Sequence, residues 1–170
     1  TILQDFTVTE SEAFIANLPE NSILNLNGHT ITVQFMALIF TGKNITIRNG
    51  NFSSNASYSF WIGDEEETNN VTIENITTNG GINIYNATDV IIKDTNAVGH
   101  DYYSVWIDNG ASAIIESGNY STQGSNGLLG ISQNNDKEHP LQVFGGTFIT
   151  NNNKFAVGSP NLPPEVLGGR

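Results

Sequence analysis

The chain has no cysteine, one methionine, five prolines and only six lysines and arginines in 170 residues. Without cysteine, neither a disulfide nor thiolate chemistry is open to it, although this does not fix the compartment. Six cations against 17 aspartates and glutamates leave a net charge of −11. That balance argues against nucleic acid and anionic membrane surfaces as partners. It also argues against polyuronate substrates, unless calcium or a local basic cleft intervenes. No apolar run reaches 18 residues, so no membrane-spanning helix is expected. The chain begins at Thr1 with neither a methionine nor a signal peptide, and reads as a mature or excised segment.

What is present is a repeat. LNLNGHTI from Leu24 returns as ITIRNGNF from Ile45, VTIENITT from Val71, VIIKDTNA from Val90, AIIESGNY from Ala113 and LQVFGGTF from Leu141, with starts 21, 26, 19, 23 and 28 residues apart. A seventh copy, VLGGR, begins at Val166. Each copy carries apolar residues at its first and third positions, as in Ile45/Ile47 and Val71/Ile73, so one face of a short strand is buried. A third apolar residue usually follows seven positions after the first: Ile31, Phe52, Ala97, Tyr120 and Phe148, with Thr78 as the exception. A second strand comes in mid-repeat, at 59–63, 81–85, 104–108, 128–132 and 154–158, and Asn, Gly and Asp fill the gaps. Short strands at this period with no helix between them describe the coils of a solenoid, stacked about 4.8 Å apart. The expected core is Leu24, Leu26, Ile45, Ile47, Val71, Ile73, Val90, Ile92, Ile115 and Val143.

The phrases LNLNGHTI, VTIENIT and FGGTFIT resemble the right-handed parallel β-helix repeats, with a pectate-lyase-like solenoid, of secreted and surface-anchored bacterial proteins. The resemblance covers nearly the whole chain. It implies an all-β fold, a right-handed parallel β-helix of about seven coils, and a bacterial cell-surface or secreted location. It implies little about activity, because that solenoid carries lyases, hydrolases, epimerases, tailspikes and adhesins alike.

One domain, 1–170, is expected: an N-terminal cap and first coil over 1–22, central coils over 23–160, and a tail or further coil over 161–170. Thr9-Glu10-Ser11-Glu12 reads as a capping box before Ala13-Phe14-Ile15-Ala16-Asn17-Leu18. A short amphipathic helix there would close the first coil. No such device marks the far end, so further repeats of the same protein and end-to-end self-association are candidate partners.

Two outward rows are read as scaffold. Arg48, Glu74, Lys93 and Glu116 alternate in sign from coil to coil and form a charge ladder. Asn49, Asn75 and Asp94 stack at the turn that follows. Seven N-x-S/T sequons, at Asn44, Asn51, Asn55, Asn70, Asn75, Asn86 and Asn119, follow from the abundance of these residues.

One feature is left over. SFWIGD (59–64) and SVWIDNG (104–110) are near copies. With Phe60/Ile62 and Val105/Ile107 facing the core, Trp61 and Trp106 face solvent, and the coil between contributes Asn83 at the matching position. The two indoles would then stand roughly 9–10 Å apart. Tyr85 and Asp108 fall in the next row, near Asp64, Tyr58, Tyr102 and Tyr103. Exposed aromatic rings at about one disaccharide spacing, edged by Asp and Asn, suit the apolar face and the hydroxyls of a sugar. The candidate ligand-binding residues are therefore Trp61, Asn83, Tyr85, Trp106, Asp64 and Asp108. Packing of the tryptophans, or an interface with another domain, are the competing readings.

Catalytic constellations are thin. Of His29, His100 and His139, only His100 approaches the aromatic patch in sequence. Asp64 and Asp108, two coils apart, have a separation that an inverting glycosidase can use. Asp64 with Glu65-Glu66-Glu67 could hold a weak calcium ion; no cofactor is otherwise expected. The reading is a non-catalytic binding or display module contacting glycan. A structural stalk or filament-forming solenoid is the alternative, and a polysaccharide-degrading enzyme ranks third.

Overall fold

The computed structural model describes residues 1–9, 12–34, 37–124, 127–150, 156–157 and 164–168, with the backbone alone for 156–157. Its strands, numbered in chain order, wind through three faces. The first face stacks β3 (Ile23–Asn25), the first half of β6 (Lys43–Ser54), the first half of β8 (Thr68–Thr78), β10 (Ala87–Lys93), β13 (Ala113–Ile115), β16 (Leu141–Val143) and β19 (Glu165–Val166). The second stacks β1 (Phe6–Val8), β4 (Thr30–Val33), the second halves of β6 and β8, β11 (Thr95–Gly99), β14 (Gly118–Thr122) and β17 (Thr147–Thr150). The third stacks β2 (Phe14–Asn17), β5 (Leu38–Thr41), β7 (Tyr58–Ile62), β9 (Gly81–Ile84), β12 (Val105–Ile107), β15 (Leu129–Ile131) and β18 (Ala156–Val157). Neighbouring strands pair in parallel throughout, as in Ile47↔Ile73, Ile92↔Ile73 and Ile92↔Ile115. The chain is a parallel β-solenoid. Seven strands stacked on the first face enclose about six complete turns, one fewer than the seven coils expected.

Alternation along each strand drives the fold. On the first face Ile45, Ile47, Val71, Ile73, Val90, Ile92, Ile115 and Val143 are buried, while Thr46, Thr72, Ile91 and Ile114 between them are half-buried. The row of third apolar residues runs Ile31, Phe52, Thr78, Ala97, Tyr120, Phe148, in register. Phe40, Phe52 and Phe60 fill the interior beside the third face, with ring centroids 4.5–6.0 Å apart.

The corner between the first two faces depends on left-handed backbone. Asn49, Asn75 and Asp94 have φ of 60°, 52° and 49°, a conformation that Asn and Asp tolerate best among residues with a side chain. Their amides join in a column: Asn75 Nδ2 donates to Asn49 Oδ1 (3.0 Å) and Asn49 Nδ2 to Asn25 Oδ1 (3.3 Å). A second column at the entry to the same face was not foreseen. Asn44, Asn70 and Asp89 are also left-handed, and Asn70 Nδ2 donates to Asn44 Oδ1 at 2.6 Å. Its signal was in the sequence, since each stands just before the first apolar residue of its copy.

The ends depart from expectation. No helix occurs among the described residues; Phe14–Asn17 is strand β2, paired with β5 from Phe14↔Leu38 to Asn17↔Thr41. Glu10 and Ser11 of the expected capping box lie outside the described residues. A single helical turn ahead of Pro19 must meet the nucleation cost with few hydrogen bonds, whereas the open edge of β5 supplies ready-made partners. As a result the inward-facing Phe6 and Phe14 of the first turn remain 40% and 41% exposed. Leu24 pairs with Ile47 rather than Ile45 and is only half-buried, two residues off the expected register. Leu26 then stands over Gly50, where a Cβ would lie 2.3 Å from its own. The last copy is shifted the same way: Val166 pairs with Val143, so EVLGG matches QVFGG.

Candidate ligand-binding site

The third face carries the candidate residues. Period-two alternation puts Phe60 and Ile62, Ile82 and Ile84, and Val105 and Ile107 inward, all fully buried. The residues between them form one outward column, Ile39–Trp61–Asn83–Trp106–Gly130, each paired to the next in parallel register. The expected row of Trp61, Asn83 and Trp106 is therefore present. Two strand spacings separate the backbones of Trp61 and Trp106, about 9–10 Å.

A recess of about 350 Å³ opens over this column, lined by Tyr58, Trp61, Asn83, Tyr102, Tyr103, Trp106 and Asp108. Its walls are braced rings. Trp106 stacks on Tyr103 with centroids 4.8 Å apart and a 27° interplanar angle. Trp61 meets Tyr58 edge-on at 6.5 Å and Tyr85 at 6.1 Å. Tyr58 also meets Tyr102, from two turns along, at 6.0 Å. Glycine makes room for two of these rings. A Cβ on Gly130 would lie 2.5 Å from Trp106 Cε3, and one on Gly81 would lie 2.7 Å from Tyr58 Cδ1. The indole of Trp106 thus leans over the next turn at Gly130, away from Asn83.

This bracing corrects one expectation. Trp61 and Trp106 are half-buried rather than fully solvent-facing, because Tyr58 and Tyr85 pack against Trp61 and Tyr103 stacks on Trp106. Asn83 is corrected more strongly. Expected at the margin, it lies on the floor of the recess at 2% exposure, and its Oδ1 has no hydrogen-bond partner within the protein. Flanked by a tryptophan in each adjacent turn, it has no amide to pair with. An unpaired buried carbonyl costs on the order of 1–3 kcal/mol.

Asp108 reaches the recess from the end of β12. Its Oδ1 accepts from the Asn109 backbone N–H at 2.8 Å. Asn135, itself 4% exposed, donates from Nδ2 to the backbone oxygens of Asp108 (2.7 Å) and Ala111 (2.9 Å), pinning the turn that presents the carboxylate. Burial pushes the Tyr58 phenol well above its ordinary pKa, with Tyr103 and Asp108 adding to the effect, and burial raises that of Tyr103. Both phenols stay protonated as hydrogen-bond donors at neutral pH.

The remaining candidates fall elsewhere. Tyr85 touches Trp61 but does not line the recess, and Asp64 accepts an Asn86 Nδ2 hydrogen bond on its backbone oxygen (3.0 Å) outside it. Asp64 and Asp108 therefore do not face one another across this recess as a carboxylate pair. His100 lines a separate polar recess with Ser54, Asn55, Ala56, Ser57, Asn79 and Asp101. Tyr58, Tyr102 and Tyr103, which sequence spacing brought only near the patch, are structural parts of it. Their signal was glycine at outward strand positions, since Gly81 and Gly130 leave backbone for rings to cover.

Among the described residues, no cation lines the recess. Arg48 and Lys93 both pair with Glu74, at 3.5 and 3.0 Å, as the charge ladder predicted. Glu67 pairs with Lys43 and accepts from Asn69 Nδ2 at 2.9 Å, so this member of the acidic run is engaged. Among the described residues no group of three or more His, Cys, Asp or Glu is gathered to hold a metal ion.

Compared with protein-family models, with curated proteins and with solved structures, the chain has no significant match.

Proposed function

We propose that this solenoid is a non-catalytic binding module that takes glycan in the aromatic recess of its third face, displayed on a bacterial cell surface. The observation that carries the reading is the recess itself, walled by aromatic rings, with the Asn83 side chain on its floor and the Asp108 carboxylate at its rim. A sugar ring packing its C–H face on an indole would bring its hydroxyls to the Asp108 carboxylate and the Asn83 amide nitrogen. The recess volume falls near the lower end of small-ligand sites, about 300–1,000 Å³. A single carboxylate among its described lining residues supports binding over glycoside hydrolysis, which uses two. Titration with soluble oligosaccharides should quench tryptophan fluorescence saturably and release no new reducing ends or unsaturated products. Product formation, or no quenching with any oligosaccharide, would overturn the reading.

The exposed inward-facing Phe6 and Phe14 favour a second reading, a stalk or filament in which an end-on neighbour covers the first turn. Concentration-dependent association abolished by Phe14→Glu would support it; a strict monomer at high concentration would exclude it.

A further inference from the structure

We propose that the recess is built for a protonated amine, so that within the glycan class its ligand is an amino-sugar oligomer with free amino groups. The inference rests on the glycan reading above and concerns which sugar. Three observations point the same way.

The first is hydrogen-bond inventory. The rim offers the Asp108 carboxylate, while Asn83 Oδ1 lies covered beneath the floor. Among the described residues no Lys, Arg or His lines the recess. A ligand that supplies donors and positive charge suits it, and an ammonium carries three donors and no acceptor. The second is the walls. Faces of Trp and Tyr attract a cation placed over them, most strongly where water is excluded. The third is the field of the whole chain. A net charge of −11, with Arg48 and Lys93 neutralised at Glu74 on another face, draws cations to the recess and repels a sugar carboxylate. A neutral hexose would donate hydroxyls to Asp108 but would gain neither a charge-assisted bond nor the attraction of a cation to the ring faces. A bare alkylammonium would gain the charge but not the ring-on-indole area.

The test uses the full chain and four probes, the β-1,4-linked hexamers of glucosamine, N-acetylglucosamine and glucose together with tetramethylammonium, titrated at pH 6 at fixed ionic strength. The glucosamine hexamer should bind roughly ten-fold tighter or better than the two neutral hexamers. The advantage should vanish as pH rises through the titration of the sugar amine. Asp108→Asn should remove the preference, bringing the glucosamine hexamer to the level of the neutral hexamers measured on the same variant. Trp106→Ala should weaken all three hexamers, and near-ultraviolet circular dichroism of each variant checks that it is folded. Equal affinity for all three hexamers would overturn the amine inference and leave the glycan reading standing. A glucosamine preference that survives Asp108→Asn would mark diffuse attraction to an acidic surface, and would also overturn it. Binding by none would remove both. Binding of tetramethylammonium without any hexamer would keep a cation site and exclude the sugar.

Discussion

Two populations of asparagine divide this molecule. At the corners of the first face, Asn49 and Asn75 lie in left-handed backbone and pass hydrogen bonds from turn to turn, as Asn44 and Asn70 do beside them. On the third face Asn83 lies in an ordinary strand, is buried, and has tryptophan above and below where a ladder would place amides. Asn135 makes the contrast sharper. It is nearly as buried, yet it donates twice and accepts once, from the Lys137 backbone N–H at 2.9 Å. Where every amide is satisfied, the asparagine serves the fold. Where one is left unsatisfied beside aromatic walls, the protein retains a cost that no turn-to-turn ladder relieves.

The comparison is broken first through the core that carries both faces. Ile73 is fully buried in the first-face stack. Ile73→Asp should leave the chain unfolded by far-ultraviolet circular dichroism, since an unpaired charge there costs several kcal/mol or more. A native-like spectrum would contradict the register from which both asparagine populations are read.

The next largest effect separates walls from packing. Trp61→Ala and Trp106→Ala should each abolish oligosaccharide quenching while costing under about 2 kcal/mol in denaturant unfolding, short of the roughly 3–5 kcal/mol typical of buried aromatics. A loss of that larger size would make the rings packing elements and favour the stalk.

Asparagine substitutions sharpen the contrast directly. Asn75→Ala should cost about 1–2 kcal/mol, combining left-handed backbone strain with a lost amide link. Asn75→Gly should cost less, because glycine accepts that backbone. Asn83→Leu should be close to neutral for stability, since it removes an unpaired acceptor, but should lose binding. The same stability penalty at both positions would erase the distinction drawn here.

The smallest effect belongs to the charge ladder. Arg48→Ala and Lys93→Ala should each cost under about 1 kcal/mol and leave binding intact. Hydrogen bonding from Lys93, aided by Arg48, holds the Glu74 carboxyl below its ordinary value of 4.5. A lowered carboxylate stabilises the fold above that value and loses its contribution as pH falls through the folded one. The melting difference between the wild type and Glu74→Gln should therefore shrink below pH 4.5. Lys93 is raised by the same bond, so its share fades only above its ordinary 10.5.

Much of this could be read from the chain. Period-two alternation around WIG and WID placed Trp61, Asn83 and Trp106 in one row, and alternating signs placed Arg48, Glu74 and Lys93 in another. The misses have physical causes. Leu24 and Val166 slipped by two because a two-residue shift preserves the apolar face and hence the pattern. The N-terminal helix failed because local propensity competes with a free sheet edge that only the fold supplies. The burial of Asn83 depends on tyrosines from turns on either side, and no spacing within one repeat encodes how far those rings lean.

The central claim is that the Asn83 amide is a ligand contact while the corner asparagines are scaffold. It is tested most directly by following asparagine side-chain amide resonances in ¹⁵N-labelled protein during titration with glucosamine and glucose hexamers. The account predicts a saturable shift of the Asn83 amide pair with those of Asn49 and Asn75 unmoved. An Asn83 pair that stays fixed at saturating oligosaccharide would contradict it.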